Sequence, residues 1–498
     1  MLTLVNGLLG IVVTRLVITH YGSDFNGINS TTNQIVNALL ILEGGFTVAS
    51  NVALFSPIVE KNYQIVNGIL SATKKQFRRI AIVFLSVGVI AACVYAMLVG
   101  TDLSRNMVWF VLMMAILPQA VNLFFISTYR VLLQAQQKEY VISGSTALTI
   151  GAGHITNIFL INQGVSMWTI RFTTMVFALL NCYLIAAYTK RVNRFIDLDA
   201  AERGDLIIGT KDVMVQKVTG VVYTSLPMVF LSILPKGGSM VASVYGVYNS
   251  VFVMLKAMLH AAIDAPRLGL GHMISEKDKD KTWEVFTLYE YVSVGMVFVF
   301  MVTACALIMP FIKLYTRDVT DINYNDSVIA VLMVLISSIE ILHIPSGHHI
   351  NMAGEFRVSK RFQLVACVTL ILSMFLFGTI FGVYGMLGAL LLVAIMLTVL
   401  EVGYVHCFYY KKKIYDYLTL LIPFFLLGII LSFLEANICR KIDGVRYFLM
   451  TGSIVFFLNL LLTVLLLYVT NQTNFISLLM RIKQIMGIQP SSKQKGGK

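Results

Sequence analysis

The chain is predicted to be an all-α polytopic membrane protein of about 14 transmembrane helices, on three observations: its composition, the length of its apolar segments, and the placement of its basic residues. Ala, Val, Ile, Leu, Met, Phe, Trp, Tyr and Cys make up 57% of the 498 residues, and charged residues only 13%. A soluble domain carries roughly 25% charged residues. Mean hydropathy is +0.80. The length would suit about three soluble domains, but so few charges cannot coat three globular surfaces. A bilayer-crossing helix needs ~20 mostly apolar residues, so fourteen of them use ~280, in line with the apolar share.

Windows of about 19 residues place crossings at 2–19, 31–57, 79–99, 107–128, 141–161, 167–188, 213–234, 240–264, 286–312, 327–352, 362–382, 385–408, 417–435 and 446–470. The first begins at once with Leu2 to Thr19 and lacks a basic n-region and a small-residue cleavage site, so it reads as a span that is kept. The stretch 31–57 is the most interrupted, by Asn33, Gln34, Asn37 and Glu43.

Lys and Arg number 38 against 25 Asp and Glu, for a net charge of +13. One set of alternate connections holds 28 of the basic residues, including Lys74, Lys75, Arg78, Arg79, Arg203, Lys411–Lys413 and the tail after 480. The other set holds seven: Arg105, Lys236, Lys313, Arg317, Arg440, Lys441 and Arg446. The positive-inside rule puts the richer set in the cytoplasm, which makes both termini cytoplasmic and the localisation a cell (cytoplasmic or inner) membrane. The surplus is then topological. No basic stripe is interleaved with stacking aromatics, so nucleic acid is not an expected partner. The six cysteines are scattered and have no metal spacing, so neither a disulfide framework nor a metal site is expected.

The longest internal hydrophilic segment, 189–212, follows the sixth crossing. It predicts an N-terminal six-helix lobe (1–188), a cytoplasmic linker (189–212) and a C-terminal six-helix lobe (213–410). Two extra helices (411–480) and a basic cytoplasmic tail (481–498) follow. An offset of 216 pairs Gly22-Ser23 with Gly238-Ser239, Asn33 with Asn249, and Glu60-Lys61 with Glu276-Lys277. Such a repeat is parallel, about an axis along the membrane normal. It sets Lys256 opposite Leu40, three residues from Glu43 and so near the same helix face.

Three basic residues fall inside crossings: Arg15, Arg171 and Lys256. Charge at membrane depth is expensive and usually paired or functional. Lys256, in Met254-Leu255-Lys256-Ala257-Met258, suits a cavity-facing contact to an anion. Arg15 and Arg171 sit near span ends, where snorkelling competes with a site role. Glu43, in Leu42-Glu43-Gly44-Gly45, is either a buried structural acid or a cavity acid that carries a coupling ion. Glu340 and His343 are one turn apart and suited to pair, with His343 as a proton relay; His348 and His349 follow on the same span. His154 and His406 read as packing histidines, and Glu401 is open. Pro118, Pro227, Pro310, Pro345 and Pro423 lie inside crossings, where each permits a bend. Gly382, Gly385 and Gly388 leave only a tight connection between the eleventh and twelfth crossings.

There is no GxxxxGK[ST] loop and no HExxH, so no ATPase, metal chemistry or cofactor is expected. The short outer connections leave little room for the folded loop that a membrane glycosyltransferase or polymerase would use. The chain is not expected to be an enzyme.

Several segments, in order, resemble the polysaccharide flippases of the MATE-like multidrug/oligosaccharidyl-lipid/polysaccharide exporter superfamily, the O-antigen and capsule repeat-unit translocases. They are Thr14-Arg15-Leu16, His20-Tyr21-Gly22-Ser23-Asp24-Phe25-Asn26-Gly27-Ile28-Asn29 and Leu42-Glu43-Gly44-Gly45-Phe46. Leu268-Gly269-Leu270-Gly271-His272 with Ser275-Glu276-Lys277-Asp278, and Tyr315 to Tyr324, continue the likeness. Asn26 and Gly45 depart from the family's Gly-acidic-Tyr-x-Gly and Glu-x-Gly patterns. The resemblance implies two six-helix lobes around a central cavity that alternates between faces. It implies an undecaprenyl-diphosphate-linked oligosaccharide as substrate, membrane lipids as surroundings, and envelope polymerase or glycosyltransferase partners. Arg15, Lys256 and Arg171 would meet the diphosphate, and Glu43 or Glu340 would carry a coupling H+ or Na+. The competing expectations are a cation-coupled multidrug or metabolite exporter of related fold and, behind it, an envelope polymerase or glycosyltransferase.

Overall fold

The computed structural model describes residues 2–43, 45–207, 210–234 and 237–485; Gly44, Lys236, Lys493, Lys495 and Lys498 of the readings above lie outside them. The helices run in chain order as α1 (Leu2–Leu39), α2 (Phe46–Val59), α3 (Tyr63–Leu98), α4 (Arg105–Val121), α5 (Ser127–Ala135), α6 (Glu139–Asn162), α7 (Met167–Val192) and α8 (Thr210–Ser232). They continue with α9 (Gly238–Asp264), α10 (Arg267–Ser275), α11 (Lys279–Tyr315), α12 (Ser327–Leu342), α13 (Ile344–Met352), α14 (Phe356–Gly403), α15 (Tyr415–Cys439), α16 (Val445–Thr470) and α17 (Gln472–Ile485). No strand occurs among the described residues. Helices satisfy every backbone group within the segment, which is what a crossing in hydrocarbon demands.

Among the described residues ten helical stretches are long and apolar enough to cross a membrane. Two of them contain a reversal and count twice. In α1 the chain turns at Gly22 (φ +86°), and in α14 at Gly382 (φ +59°). Only glycine takes these angles without steric cost. A Cβ on Gly385 would stand 2.0 Å from the Phe377 carbonyl, so the two arms of α14 pass at backbone distance. α6 and α8, of 24 and 23 residues, fall at the two remaining expected crossings, 141–161 and 213–234.

Two expected connections are in fact helical. Residues 20–30 are helix on both sides of Gly22, because that one residue makes the whole turn. The stretch after α9 contains α10. The interrupted span 31–57 is a broken helix, with a 3₁₀ turn at Leu40–Glu43 between α1 and α2. Pro345 opens α13, a position where a helix needs no N–H, and so the tenth crossing breaks at His343. A π-helical turn at Asn122–Ile126 follows Pro118.

Packing divides the chain into two compact units: 1–250 with 316–324 and 370–386, and 251–315 with 325–369 and 387–498. In the first unit Ile28, Phe77, Phe84, Leu112, Ile116 and Leu132 are fully buried in one core. At one end of this unit the Asp24 carboxylate accepts from Thr101 Oγ1 (2.8 and 2.7 Å) and Asp102 N (3.0 Å). Asp321 there accepts from Ser23 N (2.6 Å) and Ser23 Oγ (2.8 Å). Tyr324 is buried, with its hydroxyl 2.7 Å from Ser23 Oγ and 2.8 Å from Ser243 Oγ. At the other end the hydrophilic stretch after α7 folds back on α3. Lys74 pairs with Asp199 (2.8 Å), Lys75 with Glu202 (2.7 Å), and Arg203 N donates to Gly68 O (3.0 Å). Lys74 holds the exposed Asp199 carboxyl below the ordinary carboxylate range. Connections that the charge count assigns to one face therefore gather at one end of the unit, and those of the opposite face at the other.

In the second unit α11 packs against α15 and α16 through Leu288, Tyr291, Val294, Phe298 and Val302 with Phe424 and Leu467. Gly295 admits α16, since a Cβ there would lie 3.1 Å from Leu467. Buried Asn459 donates to Glu435 Oε2 (3.0 Å) and Thr303 Oγ1 (3.1 Å). Such polar contacts replace the hydrophobic driving force that helices in lipid lack.

Candidate functional site

Helical spacing puts Lys256, His260 and Asp264 of α9 on one face, four residues apart. Each lies within electrostatic reach of partners from neighbouring helices of the second unit. Lys256 Nζ is 2.8 Å from Glu340 Oε2 on α12, and both side chains are largely buried. His343, at the break before α13, has Nδ1 2.9 Å from Glu401 Oε2 on α14. Glu401 comes this close because position 347 is glycine: a Cβ there would be 2.7 Å from Glu401 Oε2. His260 stands one turn from both Lys256 and Asp264 on this face of α9. Asp264 Oδ1 is 3.2 Å from His348 Nε2, and Tyr289 on α11 bridges His348 Nδ1 (2.9 Å) to the Ile263 carbonyl (2.5 Å).

Beyond this column lies a buried pair. Glu290 and His406 Nε2 are 3.0 Å apart, with Trp283 edge-on to the imidazole at 4.9 Å. His406 stands on a π-helical turn, Tyr404–Tyr409, a backbone form often found at functional positions. Near it His349 Nε2 is 2.8 Å from Tyr410 Oη.

The first unit holds the other three expected residues, apart from one another. Arg15 reaches Asp318 at 3.2 Å, half-exposed, in the manner of a span-end arginine. Arg171 does not snorkel. It is 6% exposed, bonded to Asn29 Oδ1 and to the Val111 carbonyl at 3.3 Å, and no carboxylate pairs with it among the described residues. Glu43 closes the 3₁₀ turn and accepts from Thr47 Oγ1.

Sequence reasoning paired Glu340 with His343 and set Lys256 near the face of Glu43; the observed partners are different. Glu340 takes Lys256 and His343 takes Glu401, because side chains one turn apart on α12 point to different neighbours across the break at His343. His260, Asp264 and Glu401 were missed as site residues. The spacing of Lys256, His260 and Asp264 was a readable signal. Glu401 carried none, since only the fold brings it to His343.

Neither a family model nor a curated protein sequence matches the chain. Solved structures do. One, titled lipid II flippase MurJ in an inward closed conformation, aligns over 94% of this chain and 98% of its own, at TM-score 0.69 and 12% identity. Another, an inward-facing MATE family multidrug resistance transporter of the MOP superfamily, aligns over 88% and 96%, at TM-score 0.59 and 11% identity. The chain shares the fold of these two solved structures. It is a multi-pass helical membrane protein. At this identity the likeness is one of fold, and the chemistry must come from the chain's own residues.

Proposed function

We propose that the protein flips an undecaprenyl-diphosphate-linked oligosaccharide repeat unit from the cytoplasmic to the outer leaflet of the cell membrane, by alternating access and without a chemical step. The lobes 1–188 and 213–410 are its moving parts, and both termini are cytoplasmic. The observation that carries this reading is the Lys256–Glu340 pair. A mid-span ammonium needs a counter-charge, and Glu340 supplies one that can be exchanged. A diphosphate offers more negative charge and competes for Lys256, which frees Glu340 for a coupling H+ or Na+. His343 and His260, close by, provide a route for a proton. Arg171 and Arg15, in the first unit, are further candidate contacts for the cargo, and Glu43 is a second candidate for the coupling ion. The likeness to a lipid II flippase over nearly the whole chain supports a lipid-linked saccharide as cargo. The likeness to a multidrug transporter favours, as a second reading, a cation-coupled exporter.

Lipid analysis of a deletion strain separates the readings. Unflipped lipid-linked oligosaccharide accumulates if the proposal holds. Single units still exported would point to a polymerase, and an unchanged lipid pool with lost drug efflux would point to the exporter. Lys256→Arg keeps partial export, whereas Lys256→Met loses most of it when export is normalised to the protein present in the membrane. Orientation is tested with single cysteines at exposed positions, after Cys93 and Cys407 are changed to serine. Cysteines at Asp102 and Thr320 react with an impermeant thiol reagent in intact cells or spheroplasts; those at Arg194 and Glu202 do not. Labelling at Glu202 in sealed cells reverses the topology.

A further inference from the structure

The last described helix fits none of the crossings. α17 has 14 residues, about 21 Å at 1.5 Å per residue, too short for a hydrocarbon core of about 30 Å. Its departure from α16 is set by protein contacts. The buried Tyr291 hydroxyl donates to the Leu467 carbonyl and lies 3.3 Å from that of Asn471. Asn471 Oδ1 in turn accepts from Asn474 N at 2.9 Å, capping the new helix.

One strip of α17 packs inward, with Phe475 and Leu478 against the α11–α16 cluster and the Phe475 ring 5.4 Å from Tyr468. Another strip is bare: Ile476, Leu479 and Met480 are 52%, 42% and 59% exposed, and Arg481 beside them is exposed. The sequence adds an unusual charge asymmetry. No acidic residue follows Asp443, while Arg481, Lys483, Lys493, Lys495 and Lys498 are all basic. An apolar strip beside unopposed cations is the surface that an in-plane helix offers to an anionic leaflet. A second copy of the chain on this face would bring like charges together, which disfavours it.

We propose that α17 docks anionic phospholipid headgroups, lying in the membrane plane with Ile476, Leu479 and Met480 at the acyl boundary and Arg481 at the phosphates, the basic residues that follow it in sequence adding to the attraction. This assignment is independent of the cargo.

The test uses the full-length protein in detergent, with thermal stability titrated against phosphatidylglycerol and phosphatidylcholine. Phosphatidylglycerol is expected to act at about tenfold lower concentration or less, since each basic residue near an anionic surface contributes about fivefold. Arg481→Glu combined with Lys483→Glu abolishes that preference, while Arg446→Glu, at the opposite end of α16, keeps it. Equal response to both lipids, or a preference that survives the double reversal, overturns the assignment. If the double variant melts lower without lipid, Arg481→Gln is titrated in its place and is expected to lose at least half of the preference. A dimer by light scattering that Leu479→Glu dissociates would give the bare strip to a second copy and also overturn it.

Discussion

The two units handle positive charge at membrane depth in opposite ways. In the first, Arg171 is deeply buried and held by an amide oxygen and a backbone carbonyl, neutral dipoles that leave its charge unneutralised. In the second, Lys256 is paired with Glu340 amid His260, His343 and Glu401. A guanidinium cannot shed its proton and keeps several donors in a rigid plane, so the first arrangement is a permanent cation. An ammonium matched by one carboxylate is a charge that changes partner. The comparison teaches that depth of burial alone does not say which residue is most costly to disturb; the nature of its partner does.

The largest expected effect follows directly. Glu340→Gln leaves Lys256 without its charge partner, and breaking such a pair costs about 3 kcal/mol, read as loss of folded protein in the membrane. Adding Lys256→Met recovers the fold but not export. If Glu340→Gln is as abundant as the parent, the pair is not what neutralises Lys256. Arg171→Met should cost less, about 1 kcal/mol, although Arg171 is the more buried, because only neutral acceptors are left behind. A drop in abundance larger than that of Glu340→Gln would reverse the comparison. Export is expected to fall with Arg171→Met and to return in part with Arg171→Lys.

A smaller effect probes the neutral side of the contrast. Tyr324→Phe removes the hydroxyl shared by Ser23 and Ser243 and should lower stability by about 1 kcal/mol, seen as a reduced melting temperature in detergent. The smallest concerns Asp199 beside Lys74. Its carboxyl is held low in the folded protein, so any contribution is present above the unfolded value of about 4 and fades as pH falls through the folded one. Asp199→Asn should leave the melting temperature unchanged at pH 7. A clear loss there would mean that the exposed pair holds the stretch after α7 in place.

Much of this architecture was legible because its causes are local. Apolar length marks each crossing, and the reversals sit where glycine stands, at Gly22 and Gly382. Span 31–57 read as interrupted and is broken, at Leu40–Glu43, whereas Asn33, Gln34 and Asn37 lie within α1. Less of the site could be read. The burial of Arg171 was missed because its position near a span end permits either snorkelling or burial, and only the packing of Asn29 and Val111 decides. α17 was passed over because 14 residues are too few for a hydropathy window tuned to crossings.

The sequence by itself determined the class, the fourteen crossings and the uneven charge of the alternate connections, since bilayer thickness and the cost of moving charge act on each segment separately. Tertiary structure alone decided the partners. Lys256 finds Glu340 across 84 residues and His343 finds Glu401 across 58, and no periodicity within a helix encodes which neighbour it will face. That choice depends on how helices pack, and a charge in hydrocarbon accepts whichever counter-charge the packing brings within reach.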